Sequence, residues 1–146
     1  KSSRRIEALC FGGVDMAAEW GCKNNFQSLL YARSRVVHAA ATAGVDAIDV
    51  PYLDLEDPDG MREEAALVRD LGFSGKGSIH PKQIPILNEV ITPTEREIAH
   101  DQRVLKTFAE ADTGIVVIDG KLIEKPVLRE MQRIVSIANK VTANGT

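Results

Sequence analysis

The spacing of apolar positions changes several times along the chain, and each change marks an element. Ile6 to Phe11 is a short apolar run halted by Gly12-Gly13, which predicts a buried strand ending at a loop. From Phe26 to Ala43, the residues Phe26, Leu29, Leu30, Val36, Val37 and Ala40 recur at helical spacing, and Gly44 closes the stretch as a C-terminal glycine. Val45–Tyr52 (VDAIDVPY) predicts a second strand. Pro58-Asp59-Gly60 opens a second helix that runs to about Leu71 and is capped by Gly72. Residues 75–80 predict a third short strand ending at His80, and Pro81 starts another helical stretch.

Strand, helix, strand, helix, strand at these loop lengths argues for an α/β fold with a parallel sheet and helices outside it. The pattern then changes. Thr94 to Ala111 is polar and strongly helical, with Thr94 as N-cap and Glu97 three residues on. IVVIDGKLIE predicts a hairpin turning at Asp119-Gly120, and Pro126 starts a final amphipathic helix to about Val141. This divides the chain into βα units over 1–92 and a helix-hairpin-helix extension over 93–146. A (β/α)₈ barrel takes about 250 residues, so three units would need roughly five more upstream. The alternative is a small open sheet complete in itself. No internal repeat or low-complexity tract is present.

Composition narrows the function. The net charge of −3 provides no basic field for nucleic acid. No apolar run approaches the roughly 18 residues of a membrane span. The basic start KSSRR leads into an apolar stretch too short for a signal peptide and soon followed by Asp15 and Glu19. The absence of an initial Met suggests a piece of a longer chain. Cys10 and Cys22 form no CxxC pair, so buried, reduced thiols in a cytoplasmic protein are expected rather than zinc ligands.

Ligands of α/β proteins bind beyond the carboxyl ends of the strands. Those positions hold Gly12, Gly13 and Asp15, then Asp49, Tyr52, Asp54 and Asp57, then Lys76, Ser78 and His80. Asp15, after two glycines, suits a hard divalent cation such as magnesium; capping the turn that follows would explain it equally well. Glu19, one helical turn on, is expected in solvent. In the acidic loop YLDLEDPDG, Asp57 before Pro58 is expected to cap a helix, and the loop lacks calcium-loop spacing. Lys76 could meet a phosphate or carboxylate. His80, before a proline, is extended and is either structural or ligand-facing. His38 and His100 are expected to be structural or solvated. The glycines around Lys76 match neither GxxxxGK[ST] nor GxGxxG.

FGGVDMAAEWG, YARSRVVHAAATAGVDAIDVPYLDLEDPDG, LGFSGKGSIHPKQI and VVIDGKLIEKP occur in this order. Together they resemble the C-terminal half of the citrate lyase beta subunit and malyl-CoA lyase family, within the 2-keto-acid aldolase superfamily. The resemblance runs from about Ile6 to Ala138. It implies a magnesium-dependent (β/α)₈ barrel and homo-oligomer, expected to be a trimer, that cleaves or forms a carbon–carbon bond beside an acyl thioester. It places a metal ligand at Asp15, with a glutamate partner and a substrate-binding arginine upstream of this chain. It places an acid/base at Asp119, which in some members reaches a neighbouring subunit. The motif here reads DGKLIE, so Leu122 and Glu124 depart from the family's DGKMID-like pattern. Lys76 and His80 are then expected to end the last barrel strand at the acyl-carrier mouth as substrate-binding residues. Citryl, malyl, methylmalyl and citramalyl thioesters fit, on coenzyme A or acyl-carrier protein. An inactive scaffold and a magnesium aldolase for free keto acids are the other readings.

Overall fold

The computed structural model describes residues 5–111 and 114–144. The basic opening over residues 1–4 lies outside the described residues. The chain forms two compact units, residues 1–91 and 92–146.

In the first unit, strands β1 (Ala8–Cys10), β2 (Asp46–Asp49) and β3 (Gly75–Lys76) form one parallel sheet in the order β1-β2-β3. Ala8 lies opposite Asp46, and Asp49 opposite Lys76. Helix α1 (Gly13–Trp20) follows β1, α2 (Leu30–Ala43) leads into β2, and α3 (Pro58–Leu71) joins β2 to β3. A 3₁₀ turn over Pro81–Gln83 leads into α4 (Ile84–Ile91). Phe11, Leu29, Ala40, Ala47, Val68 and Phe73 form the core between sheet and helices. A fully buried side chain such as Phe73 contributes about 1.5–3 kcal/mol by removal from water. A smaller cluster of Met61, Ala65 and Leu87 joins α3 to α4.

Capping sets the helix boundaries. Asp57 accepts the Gly60 amide at 2.9 Å at the start of α3, ahead of Pro58. Gly44 and Gly72 adopt the left-handed conformation that ends α2 and α3. Several sequence expectations need correction. The first strand is not buried: β1 lies at the edge of the sheet, Ala8 and Cys10 are exposed, and the Cys10 thiol is therefore not a buried one. The third strand stops at Lys76, not His80. Its last ladder bond is from the Gly77 amide to the Asp49 carbonyl (2.9 Å), and the Gln83 side chain takes the Ile79 amide instead. Helix α2 starts at Leu30, not Phe26, because the Asn25 side chain accepts the Ser28 amide (2.8 Å) and holds that segment in a turn. Asp15 is not a cap. It sits in the first turn of α1, whose N-cap is Gly12 with no side-chain capping bond.

The second unit contains α5 (Glu95–Glu110), an antiparallel pair β4 (Ile115–Ile118) and β5 (Lys121–Glu124), and α6 (Lys125–Asn144). Thr94 and Glu97 form a reciprocal capping box at the start of α5. The β4–β5 turn places Asp119 at φ 52° and Gly120 at φ 74°, the two positive values of a type I′ corner. Val104, Ile123 and Ala138 are buried here.

Candidate active site

The carboxyl end of the parallel sheet is built around four charges, those of Arg33, Asp49 and Lys76 buried and that of Glu64 partly so. Asp49 ends β2 and Lys76 ends β3, directly opposite each other in the register. The Lys76 ammonium donates to the Asp49 carboxylate (2.7 Å), the Glu64 carboxylate (2.7 Å) and the Val50 carbonyl (2.8 Å), which uses all three of its N–H groups. Arg33, from α2, grips Asp49 with Nε at 2.9 Å and Nη2 at 3.3 Å, and approaches Glu64 at 3.7 Å. Its guanidinium lies between the rings of Phe11 (5.3 Å) and Phe26 (5.1 Å). Two cations therefore meet two carboxylates, a balance that makes their burial tolerable.

Lys76 is thus committed inside the protein, and a substrate would have to displace one of these partners to reach it. Arg33 and Glu64 went unread in the sequence. Arg33 occupies the apolar stripe of α2, four residues after Leu29 and three before Val36, and that misplaced charge was the available signal. A cleft of about 240 Å³, lined by Arg33, Glu64, Tyr52, Asp54 and Asn24 among others, opens beside the network.

The loops beyond β2 and β3 are stapled together by Gln83, which is buried. Its Nε2 donates to the Tyr52 carbonyl (2.8 Å), and its Oε1 accepts from the Ile79 amide (3.0 Å) and the Ser78 hydroxyl (3.1 Å). His80 is exposed, and its Nδ1 accepts the Lys82 amide at 3.1 Å. That bond leaves the hydrogen of a neutral ring on Nε2. In the acidic loop, Asp54 accepts the Glu56 amide. The Tyr52 hydroxyl donates to Asp57 at 2.7 Å. This bond, then burial, pushes the Tyr52 phenol up to about 12. The same bond, then the Gly60 amide, holds the Asp57 carboxyl below its usual range.

Asp15 is exposed at the start of α1, and no side-chain contact occupies it among the described residues. The approach of α1 to the sheet depends on Gly13: a Cβ there would meet the Phe11 ring at 2.8 Å and Val50 at 3.0 Å. Glu19 is exposed, as expected, and so is His38. Among the described residues, no three His, Cys, Asp or Glu side chains gather to hold a metal ion. Asp15 is a hard oxygen donor with its coordination sites open, so it fits one ligand position for magnesium, with the remaining ligands coming from water or from outside these residues.

In the second unit, Asp119 projects from the hairpin corner. Its Oδ2 receives Arg103 Nη2 at 2.5 Å and lies 3.8 Å from His100 Nε2. His100 Nδ1 is 3.0 Å from Asp101 Oδ1. His100 is therefore not an isolated solvated residue.

Comparison with known proteins places these features in context. The family model described as HpcH/HpaI aldolase/citrate lyase matches residues 1–81. The citrate lyase subunit beta of Leuconostoc mesenteroides subsp. cremoris is 40% identical over 116 residues, 77% of this chain and 38% of that protein. The mitochondrial citramalyl-CoA lyase of Rattus norvegicus is 35% identical over 141 residues, 93% of this chain and 42% of that protein. Among solved structures, CitE of Mycobacterium tuberculosis in complex with magnesium, acetoacetate and coenzyme A superposes with a TM-score of 0.73 at 27% identity, over 89% of this chain and 51% of that one. The chain thus spans about two fifths of the length of these two curated relatives.

Proposed function

The chain belongs to the HpcH/HpaI aldolase/citrate lyase family, and from that premise we propose that it forms the C-terminal part of a magnesium-dependent carbon–carbon lyase acting on a 3-hydroxyacyl thioester. Its parallel βα units are read as the last units of a (β/α)₈ barrel, and residues 92–146 as an extension that brings Asp119 to an active site. The products are an acyl thioester and a keto acid. The observation that carries the reading is Asp15, an uncommitted carboxylate at the carboxyl end of β1, on the sheet edge where α/β proteins hold their ligands.

Asp15 would hold magnesium together with a carboxylate from outside this chain, and the ion would stabilise negative charge on keto-acid oxygens. Asp119 moves a proton at the α-carbon of the thioester. His80 offers its Nε2–H to the acyl carrier. Lys76 acts from within the buried network, fixing the end of β3 on which that loop hangs. The relatives named for coenzyme A thioesters support that carrier. The compartment is taken as the cytoplasm, in keeping with two free thiols, and the assembly as a homotrimer.

The test uses the full-length protein that contains this chain. Cleavage of citramalyl-CoA, malyl-CoA and citryl-CoA is followed with and without magnesium. Asp15→Asn is expected to lower kcat/KM by on the order of 10²-fold or more and to abolish the calorimetric magnesium signal. Full activity in that variant removes Asp15 from the metal site. Equal turnover of free hydroxy-keto acids would favour the aldolase reading.

A further inference from the structure

Asp101 is a costly residue where it stands. Its side chain is 8% exposed, one oxygen faces His100, and Oδ2 has no hydrogen-bond partner among the described residues. It lies against the same cavity as Val104, Ile123 and Ile134, where an apolar side chain would avoid that penalty. A buried carboxylate kept at such a cost has a task, and its single contact names it. Asp101 Oδ1 lies 3.0 Å from His100 Nδ1. The imidazole is thereby oriented with Nε2 directed toward Asp119 Oδ2.

Arg103 stands one turn further along α5, at the i, i+3 position that shares a face with His100. Both side chains converge on the same oxygen of Asp119. Among the described residues every contact of Asp119 runs through Oδ2, and Oδ1 is left available. Asp119 needs such a hold, because it sits at the exposed corner of a two-stranded hairpin.

We propose that His100, braced by Asp101, and Arg103 are positioning residues that fix the Asp119 carboxylate by Oδ2 and present Oδ1 for proton transfer. The proposal rests on the reading of Asp119 as the acid/base, and the experiment separates the two. In the full-length enzyme, Arg103→Ala, His100→Ala and Asp101→Asn are each expected to lower kcat about 10- to 100-fold, with KM for the thioester changing less than about twofold. Arg103→Lys is expected to restore part of the loss. In an Asp119→Asn background the same changes are expected to add little, because their effect passes through Asp119. Because His100 and Arg103 are exposed, their loss leaves the fold intact.

Asp119→Asn with undiminished kcat would overturn the acid/base reading. An inactive Asp119→Asn beside fully active Arg103→Ala and His100→Ala would overturn the positioning role alone. Ring-nitrogen NMR gives a readout independent of turnover: Asp101→Asn is expected to shift the His100 ring-nitrogen signals. Unchanged His100 signals in that variant would overturn the orientation by Asp101.

Discussion

Gly60 shows how a single residue can run against its own propensity. It lies in the first turn of α3, where alanine would ordinarily favour the helix by up to about 1 kcal/mol. A Cβ at this place collides with the Asp57 carboxylate and comes within 2.5 Å of the Tyr52 hydroxyl. Asp57 would have to swing away, losing both the cap and the phenol bond. Gly60→Ala is therefore expected to lower the urea unfolding midpoint, although alanine is the better helix former. Tyr52 adds a pH signature. Its folded pKa of about 12 lies above the ordinary phenol value of 10.0, so the stabilisation is complete below pH 10 and lost as pH rises from 10 through 12. Alkaline unfolding of Tyr52→Phe should lack that component. Lys76 is the sharper case. Lys76→Met leaves Asp49 and Glu64 sharing Arg33 alone, an uncompensated buried charge expected to cost about 3–5 kcal/mol. A loss under 1 kcal/mol would show that the network is hydrated or that Glu64 takes up a proton.

At the scale of elements, local chemistry was legible and distant chemistry was not. Asp57 before Pro58, the Thr94–Glu97 box and the glycines after α2 and α3 act on amides within a few residues, so spacing alone reveals them. Thr94→Ala should cost about 1 kcal/mol, read as an earlier loss of helical circular dichroism on heating. The Asp119-Gly120 corner dictates how the hairpin should be altered. Asparagine accepts a φ of 52°, whereas alanine or valine adds strain, so Asp119→Asn tests chemistry without disturbing the turn. By contrast, Arg33 finds Asp49 16 residues away and Lys76 finds Asp49 27 residues away. Nothing in either local pattern announces the partner. Lys76 therefore read as a ligand-facing cation. Helix α1 was not read beyond its first turn, because eight residues carry too little periodicity.

For the whole molecule, the sheet decides what can be asked. The parallel order of three strands follows from alternating strand and helix patterns, and the motifs in FGGVDMAAEWG and GKGSIHPKQI led to the family that the comparisons show. The second half of the proposed metal site was not legible, because the residues expected to complete it are not in this sequence. The chain matches 38–42% of the length of two curated relatives. We therefore expect the intact mass of the active protein to be at least about twice the 15.9 kDa of this chain. Lyase activity from a 15.9 kDa species would contradict a metal site completed from elsewhere.

Trp20 ends α1, and it is the single tryptophan of the sequence. It lies five residues from Asp15, about 7.5 Å along a helix axis, and it is half exposed. This chain thus carries an optical probe beside its proposed cation site. Paramagnetic manganese, a common stand-in for magnesium, should quench its emission on binding, and Asp15→Asn should silence that response. Occupancy could then be followed by light alone, with no substrate in the cuvette.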